Sequence, residues 1–252
     1  MGFHEFSSPY DWSRIASYKR TAKAAFGGMI DLSVGSPVDP VPDSVRKALA
    51  ISSNDPNAYG YPVTAGTADL RDAIHEWFAA ARNVDLRAIG ADAVPTVGSK
   101  EGVALMASLL HFGEGDVVVQ PKVSYPTYEI GTQLAGAQTL KVDDVADADS
   151  WKDVPGVKAV WVNSPCNPTG EVLSAERMAG IVRAARAIGA VVLSDECYAL
   201  MQWEDDVAEA DADTLASTPC ALRADERRDH GHHRTAKLSH EGSWFFNNGY
   251  KR

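Results

Sequence analysis

Three short segments carry the residue types from which chemistry could be built. Asn167 stands in Asn163-Ser164-Pro165-Cys166-Asn167-Pro168-Thr169-Gly170, and Asp195 and Tyr198 stand in Ser194-Asp195-Glu196-Cys197-Tyr198. Each of these follows an apolar run, Val157 to Asn163 and Ala190 to Ser194. The third, Gly98-Ser99-Lys100-Glu101-Gly102, closes the short apolar run that begins at Val94. A strand that turns through glycine and serine into a helix points free backbone N–H groups, and the positive end of the helix dipole, at its ligand. Such a turn can cradle a phosphate, and an ordinary capped helix gives the same pattern.

The elements between these segments decide where they meet. Val157 to Asn163 is apolar and β-branched and is stopped by Pro165 and Pro168, as a buried strand would be. Ser174 opens a helix as its N-cap. Met178, Ile181, Val182, Ala185 and Ile188 form its apolar face, and Gly189 follows at the stop position. Two fully apolar strands joined by a helix imply a parallel pair with a right-handed crossover. Both strands then end on one edge of the sheet. Asn167 and Asp195 come to lie side by side at that carboxyl edge, where open α/β sheets bind ligands.

Upstream, residues 1–30 set Phe3, Phe6, Tyr10, Trp12 and Tyr18 among polar residues, either as an arm that packs on something else or as a surface helix. Asp43 to Ala50 reads as a short helix. Thr67 caps a longer one whose buried stripe is Leu70, Ile74, Trp77, Phe78 and Ala81. Asp116 to Gln120 and Thr139 to Val142 read as strands, with a helix from Tyr125-Pro126-Thr127-Tyr128 to Gly136 between them. Alternating strands and helices from about 94 to 198 indicate an α/β layered domain.

Composition narrows the class. At 252 residues and 45% hydrophobic, the chain can bury one large core. A formal charge of −10 opposes a nucleic-acid surface. No apolar run approaches a membrane span, and Met1 to Arg20 holds no signal-peptide core. Cys166, Cys197 and Cys220 make an odd count without metal-ligand spacing, which fits a reduced cytoplasmic protein.

Taken in order over about residues 30 to 200, the motifs resemble those of the class I/II aminotransferases, pyridoxal-phosphate enzymes of fold type I. The residues that carry the resemblance are Gly35-Ser36-Pro37, Tyr61-Pro62 with Gly66 and Leu70-Arg71, Gly98 to Gly102, Tyr125-Pro126, Asn167-Pro168-Thr169-Gly170, and Asp195-x-x-Tyr198. The wording from Tyr59 to Leu70 and from Ser124 to Tyr128 is similar to that of the succinyldiaminopimelate aminotransferases of lysine biosynthesis. The resemblance implies a three-layer α/β fold with a mostly parallel sheet, the large domain of the pyridoxal-phosphate-dependent transferases, over residues 31–204. Residues 1–30 would be an N-terminal arm, and residues 205–252 a divergent tail in place of the small C-terminal domain.

It also implies roles. Pyridoxal phosphate acts as an electron sink only while its ring nitrogen stays protonated, which calls for a facing carboxylate, here Asp195. Asn167 and Tyr198 match the positions that hold the phenolic oxygen. The phosphate would rest on the backbone at Ser99 and Lys100, and Tyr125 would stack on the ring. Gly35 would let backbone approach the substrate carboxylate, and Tyr61 (or else Tyr59) would reach the partner's phosphate in a homodimer. The reaction implied is amino-group transfer between an amino acid such as glutamate and a keto acid. A carbon–sulfur lyase of the same fold, and a non-catalytic chain that only binds the cofactor, share these motifs. Structural readings stand beside the functional ones: Asn167 closing a turn, Asp195 capping a helix, Tyr125 in plain core, Cys166 and Cys197 filling space.

One part of the pattern is missing. Transamination needs a lysine that holds the cofactor as an imine and then shuttles a proton, set in the family at the end of a Ser-x-Ser-Lys strand. After Tyr198 only Lys237 and Lys251 remain, and Lys237 lies in Arg234-Thr235-Ala236-Lys237-Leu238-Ser239 without an apolar strand before it. Residues 223–252 hold seven basic residues against four acidic ones and four of the seven histidines. His230, His232 and His233 could ligate a metal, but a solvated basic tail accounts for them equally simply. The reading frame is expected to leave the family sequence between about 205 and 225, which would truncate the family pattern and leave the chain inactive. Translation in the other two frames tests this. Without the lysine strand and its successor, the strand ending at Ser194 would present an unpaired apolar edge, prone to aggregation.

Overall fold

The computed structural model describes residues 11–32, 35, 38–199, 201, 235–239 and 243–246, the last two segments as backbone. The chain divides into two compact units, Met1–Thr64 and Ala65–Arg252. In the first, helices α1 (Ala16–Ala24) and α2 (Asp43–Ser52) bury no residue. Lys19 pairs with Asp31 at 2.9 Å, while Val45 and Leu49 of α2 and Tyr59 and Tyr61 beyond it are exposed.

The second unit runs α3 (Ala68–Arg82), β1 (Asp92–Pro95), α4 (Ser99–Leu109), β2 (Val117–Pro121), α5 (Thr127–Leu134), β3 (Gln138–Val142), β4 (Val157–Asn163), α6 (Ala175–Ala187), β5 (Val191–Glu196), β6 (Thr235–Ser239) and β7 (Ser243–Phe246). The strands form one seven-stranded sheet in the order β1-β7-β6-β5-β4-β2-β3. Pairings from β3 through β6 are parallel, and β7 is antiparallel to both of its neighbours.

Helices cover both faces, as strands apolar on both sides require. On one face Val160 and Val162 of β4 and Val192 of β5 pack with Met178, Ile181 and Val182 of α6. On the other, Ala159 and Trp161 of β4 and Val191 and Leu193 of β5 pack with Val103 and Met106 of α4 and Tyr128 of α5. The period-2 alternation thus sorts each strand between two cores. A third cluster joins Ile74 and Phe78 of α3 to Leu86, Ile89 and Ala93. Helix α3 is tied to the sheet by a buried ion pair, Arg82 to Glu196, at 2.6 Å.

The caps stand where the sequence places them. Thr67 Oγ1 accepts the Leu70 N–H and Ser174 Oγ the Arg177 N–H, each at 3.3 Å. Gly189 ends α6 in the left-handed region, at φ 71°. Two stripe positions differ from expectation: Leu70 is 45% exposed and Ile188 38%. Leu70 lies in the first turn of α3 and Ile188 is the C-cap of α6.

The larger correction concerns the edge after β5. It is not unpaired: β6 runs parallel to β5, with Val192 opposite Thr235 and Glu196 opposite Ser239. Strand β7 then joins β6 to β1. The segment around Lys237 is therefore a strand, although little apolar sequence precedes it. Alternating Ala236 and Leu238 suffice for a strand whose hydrogen bonds are completed on both sides. His230, His232 and His233 lie outside the described residues.

Candidate functional site

The site lies at the carboxyl ends of β4 and β5, in the second unit. Strand β4 ends at Asn163 opposite Asp195 of β5, so both share the α4/α5 face with Trp161 and Leu193. A cavity of about 170 Å³ opens there, lined by Ser99 and Val103 of α4, Tyr125, Asn163, Asn167, Asp195, Cys197 and Tyr198. Five residues singled out in the sequence, Ser99, Tyr125, Asn167, Asp195 and Tyr198, thus converge on one space.

Asp195 is buried and held from two sides. The Tyr128 hydroxyl donates to its Oδ2 at 2.6 Å, and the Cys197 N–H donates to its Oδ1 at 3.2 Å. Asn163 ties the loop to the strand: its Nδ2 donates to the Asp195 carbonyl at 2.9 Å, and its Oδ1 accepts the Asn167 N–H at 2.7 Å. One side-chain amide therefore sets the spacing between the two residues that the sequence had paired. Across the loop, Ser164 Oγ accepts the Leu173 N–H at 3.0 Å.

The third wall is the start of α4. Its N-cap is Gly98, which offers no side-chain acceptor to the first-turn amides. Glu101 accepts the Val97 N–H at 2.8 Å, and Thr96 Oγ1 donates to the Gly98 carbonyl at 3.0 Å, so the turn before the helix is fixed by its own side chains. Ser99 is half-buried at the cavity, whereas Lys100 is exposed and does not line it.

Electrostatics favour donors over nucleophiles. Burial pushes the Tyr198 phenol up, Cys197 and Asp195 add to this, and a hydrogen bond with Asn167 offsets part of it. Burial, then Asp195, hold the Tyr128 phenol well above its usual range. Burial and Asp195 push the Cys197 thiol up to about 12, against a lowering hydrogen bond with Ser99. At neutral pH both phenols keep their protons to donate, and Cys197 is a thiol rather than a thiolate.

Gly35 and Tyr61 belong to the first unit, where both are exposed, Tyr61 at 97%. Lys237 is on β6, and its register partner is Ser194; the partner of Asp195 is Leu238. Sequence reasoning gave no role to Tyr128 or Asn163. Asn163 left a signal, as a polar residue that closes β4 directly after the apolar run Ala159 to Val162; Tyr128 left only its place in the first turn of α5, next to Tyr125. Among the described residues no group of His, Cys, Asp and Glu is arranged to hold a metal. No helix among them is long and apolar enough to cross a membrane.

The profile of the family described as aminotransferase class I and II matches residues 27–226. This chain belongs to the class I and II aminotransferases. The family is one of transaminases that depend on pyridoxal phosphate. A Mycobacterium tuberculosis protein named as a probable aminotransferase is 40% identical over 195 residues, 77% of this chain and 45% of its own length. The 4-dedimethylamino-4-oxo-anhydrotetracycline transaminase of Streptomyces rimosus is 38% identical over 195 residues, 77% of this chain and 52% of its own. The solved N-succinyldiaminopimelate aminotransferase of Mycobacterium tuberculosis superposes with a TM-score of 0.66 at 26% identity, over 86% of this chain and 57% of that one. The chain spans about half the length of the curated relatives it matches.

Proposed function

We propose that the cavity binds pyridoxal 5′-phosphate and is the cofactor site of a transaminase, whose reaction is amino-group transfer between an amino acid, glutamate by preference, and a keto acid. The observation that carries this is the convergence of Asp195, Asn167, Tyr198 and the uncapped start of α4 on one cavity. That donor set fits the cofactor. Ser99 and the first-turn amides suit its phosphate, Asp195 its ring nitrogen, Asn167 and Tyr198 its phenolic oxygen, and Tyr125 the face of its ring. Lys100 would contribute through its backbone alone. When bound, the cofactor supplies an electron sink for carbanion chemistry next to nitrogen. The chain's own part is to orient the ring, hold a proton at the ring nitrogen through Asp195, and keep phenol protons on Tyr198 and Tyr128 as donors.

The substrate side is proposed by likeness. The similarity to N-succinyldiaminopimelate aminotransferase supports N-succinyldiaminopimelate, and with it lysine biosynthesis, on the substrate side. Gly35 and Tyr61 would serve a substrate carboxylate and a partner subunit's phosphate in a homodimer. The high exposure of Tyr61 and of Val45 and Leu49 supports that role. The reduced Cys166 and Cys197 support a cytoplasmic setting.

Lys237 is not assigned as the imine-forming lysine. It lacks the Ser-x-Ser-Lys surroundings, and it is level with Ser194 rather than Asp195. We therefore expect the cofactor to be held without covalent capture and the chain to be inactive as written. Borohydride reduction in the presence of pyridoxal phosphate, followed by peptide mapping, tests this. The expected result is a cofactor absorption band lost on gel filtration after reduction, with no labelled lysine. A label at Lys237 would overturn the expectation of noncovalent binding and assign the imine to that residue.

A further inference from the structure

We infer that Tyr128 is the positioning residue that aims Asp195 at its ligand, so the strength of the Asp195 contact is set from helix α5 and not from β5 alone. The inference rests on the reading that Asp195 faces the ring nitrogen of pyridoxal phosphate, and it adds a residue that neither the motifs nor the cavity lining identifies.

Tyr128 is 1% exposed, and its hydroxyl reaches Asp195 Oδ2 from a different layer of the fold. Its ring has little freedom. It stacks on Trp161 at 4.5 Å between centroids with planes 15° apart, and it meets the edge of Tyr125 at 5.9 Å and 79°. A phenol clamped in this way has lost its rotational entropy before any ligand arrives, so the hydrogen bond it makes is preorganised. The other restraint on the carboxylate, the Cys197 N–H at 3.2 Å, comes from the same turn as Asp195 and moves with it. Asn163 of β4 holds the Asp195 backbone carbonyl; Tyr128 ties the carboxylate itself to a separate element, α5. Its raised proton affinity keeps it a donor throughout the neutral range.

A carboxylate with one oxygen tethered rotates less about χ2 and offers its remaining lone pairs in a fixed direction. A cationic N–H that must meet those lone pairs gains from the tether, whereas a ligand with no proton there does not. Tyr125 stands two residues before α5 opens at Thr127, and its carbonyl accepts the Tyr128 N–H at 3.2 Å. Aligning the carboxylate and placing the aromatic wall at Tyr125 thus depend on one short stretch of chain.

The test uses the full chain and two noncovalent probes, pyridoxamine 5′-phosphate and its analogue with C–H in place of the ring nitrogen. Dissociation constants are measured for the parent, Tyr128→Phe and Asp195→Ala. Phenylalanine keeps the ring against Trp161 and removes only the hydroxyl. The expected result is that Tyr128→Phe weakens pyridoxamine phosphate binding about tenfold, the scale of one hydrogen bond to a charged group, and leaves the analogue unchanged. Unchanged analogue binding also shows that the variant pocket is intact. Equal losses for both probes would make Tyr128 a wall of the pocket and overturn its positioning role while leaving the pocket reading standing. No loss for either would overturn the role outright. If the parent fails to bind pyridoxamine phosphate or does not prefer it to the analogue, or if Asp195→Ala keeps that preference, the reading of Asp195 fails and takes the tyrosine's role with it.

Discussion

Asn163 shows how much a single side chain can fix. Its amide joins the Asn167 N–H to the Asp195 carbonyl, and leucine at the same place would leave both backbone groups without those partners. Asn163→Leu is expected to destabilise by about 1–2 kcal/mol, the scale of lost hydrogen bonds where the Asp195 carbonyl keeps the Ser164 N–H, and to weaken cofactor binding. Urea denaturation and a cofactor titration check the two effects. At Cys197 the thiol is pushed up to about 12. The folded protein should therefore lose less than one equivalent of Cys197 to iodoacetamide at pH 8 in the time an ordinary thiol is consumed, with reactivity rising only as pH climbs toward that value. Mass mapping of the alkylated peptide reads this directly. Asn167, Asp195 and Ser99 were legible in the sequence because each stands at or within a few residues of the end of a strand, and a parallel α/β topology sends strand ends to one edge. Tyr128 was not legible as a partner of Asp195, because their contact depends on how α5 lies across the sheet, which no local period encodes.

Elements transmit these placements. Helix α5 lies against α4 so closely that a Cβ on Gly131 would stand 2.7 Å from the Ala104 carbonyl oxygen. Gly131→Ala is expected to cost about 1–3 kcal/mol by overpacking. It should also reduce cofactor affinity, because Tyr128 rides on the helix that must move. A thermal melt with and without pyridoxal phosphate separates the two contributions. The Arg82–Glu196 pair, with side chains 2% and 5% exposed, makes the corresponding connection for α3. Glu196→Gln or Arg82→Met is expected to destabilise by about 3–5 kcal/mol, since each strands a buried charge, while an apolar replacement of both partners costs less. A double-mutant cycle in urea gives the comparison. Helices were read from period and punctuation, and Thr67 and Ser174 stand as N-caps; the helix read from Tyr125 to Gly136 is shorter, Thr127–Leu134. Strand β6 escaped that reading, since a short run such as Thr235 to Ser239 gains its strand character from β5 and β7 beside it.

At the scale of the whole molecule, the two units differ in kind. The second has three buried clusters, whereas the helices of the first bury nothing and leave Val45, Leu49, Tyr59 and Tyr61 to solvent. Such an apolar surface fits association with another copy. On the proposed homodimer, Val45→Asp combined with Leu49→Asp is expected to shift the chain toward monomer in sedimentation velocity, with the far-ultraviolet spectrum unchanged. The formal charge of −10 adds a repulsion that salt screens, so association should strengthen as ionic strength rises.

The order of the strands has a consequence for synthesis. Among the described strands a ribosome makes β1 first, yet the neighbour that ties β1 into the sheet, β7, comes after all the others. A nascent chain paused after β5 can assemble the block β5-β4-β2-β3, while β1 waits with its hydrogen-bonding edge bare. Pairings this distant along the chain close slowly. A chaperone that shields exposed strand edges should therefore engage this protein late in translation, and should let go once the β6–β7 hairpin slides in between.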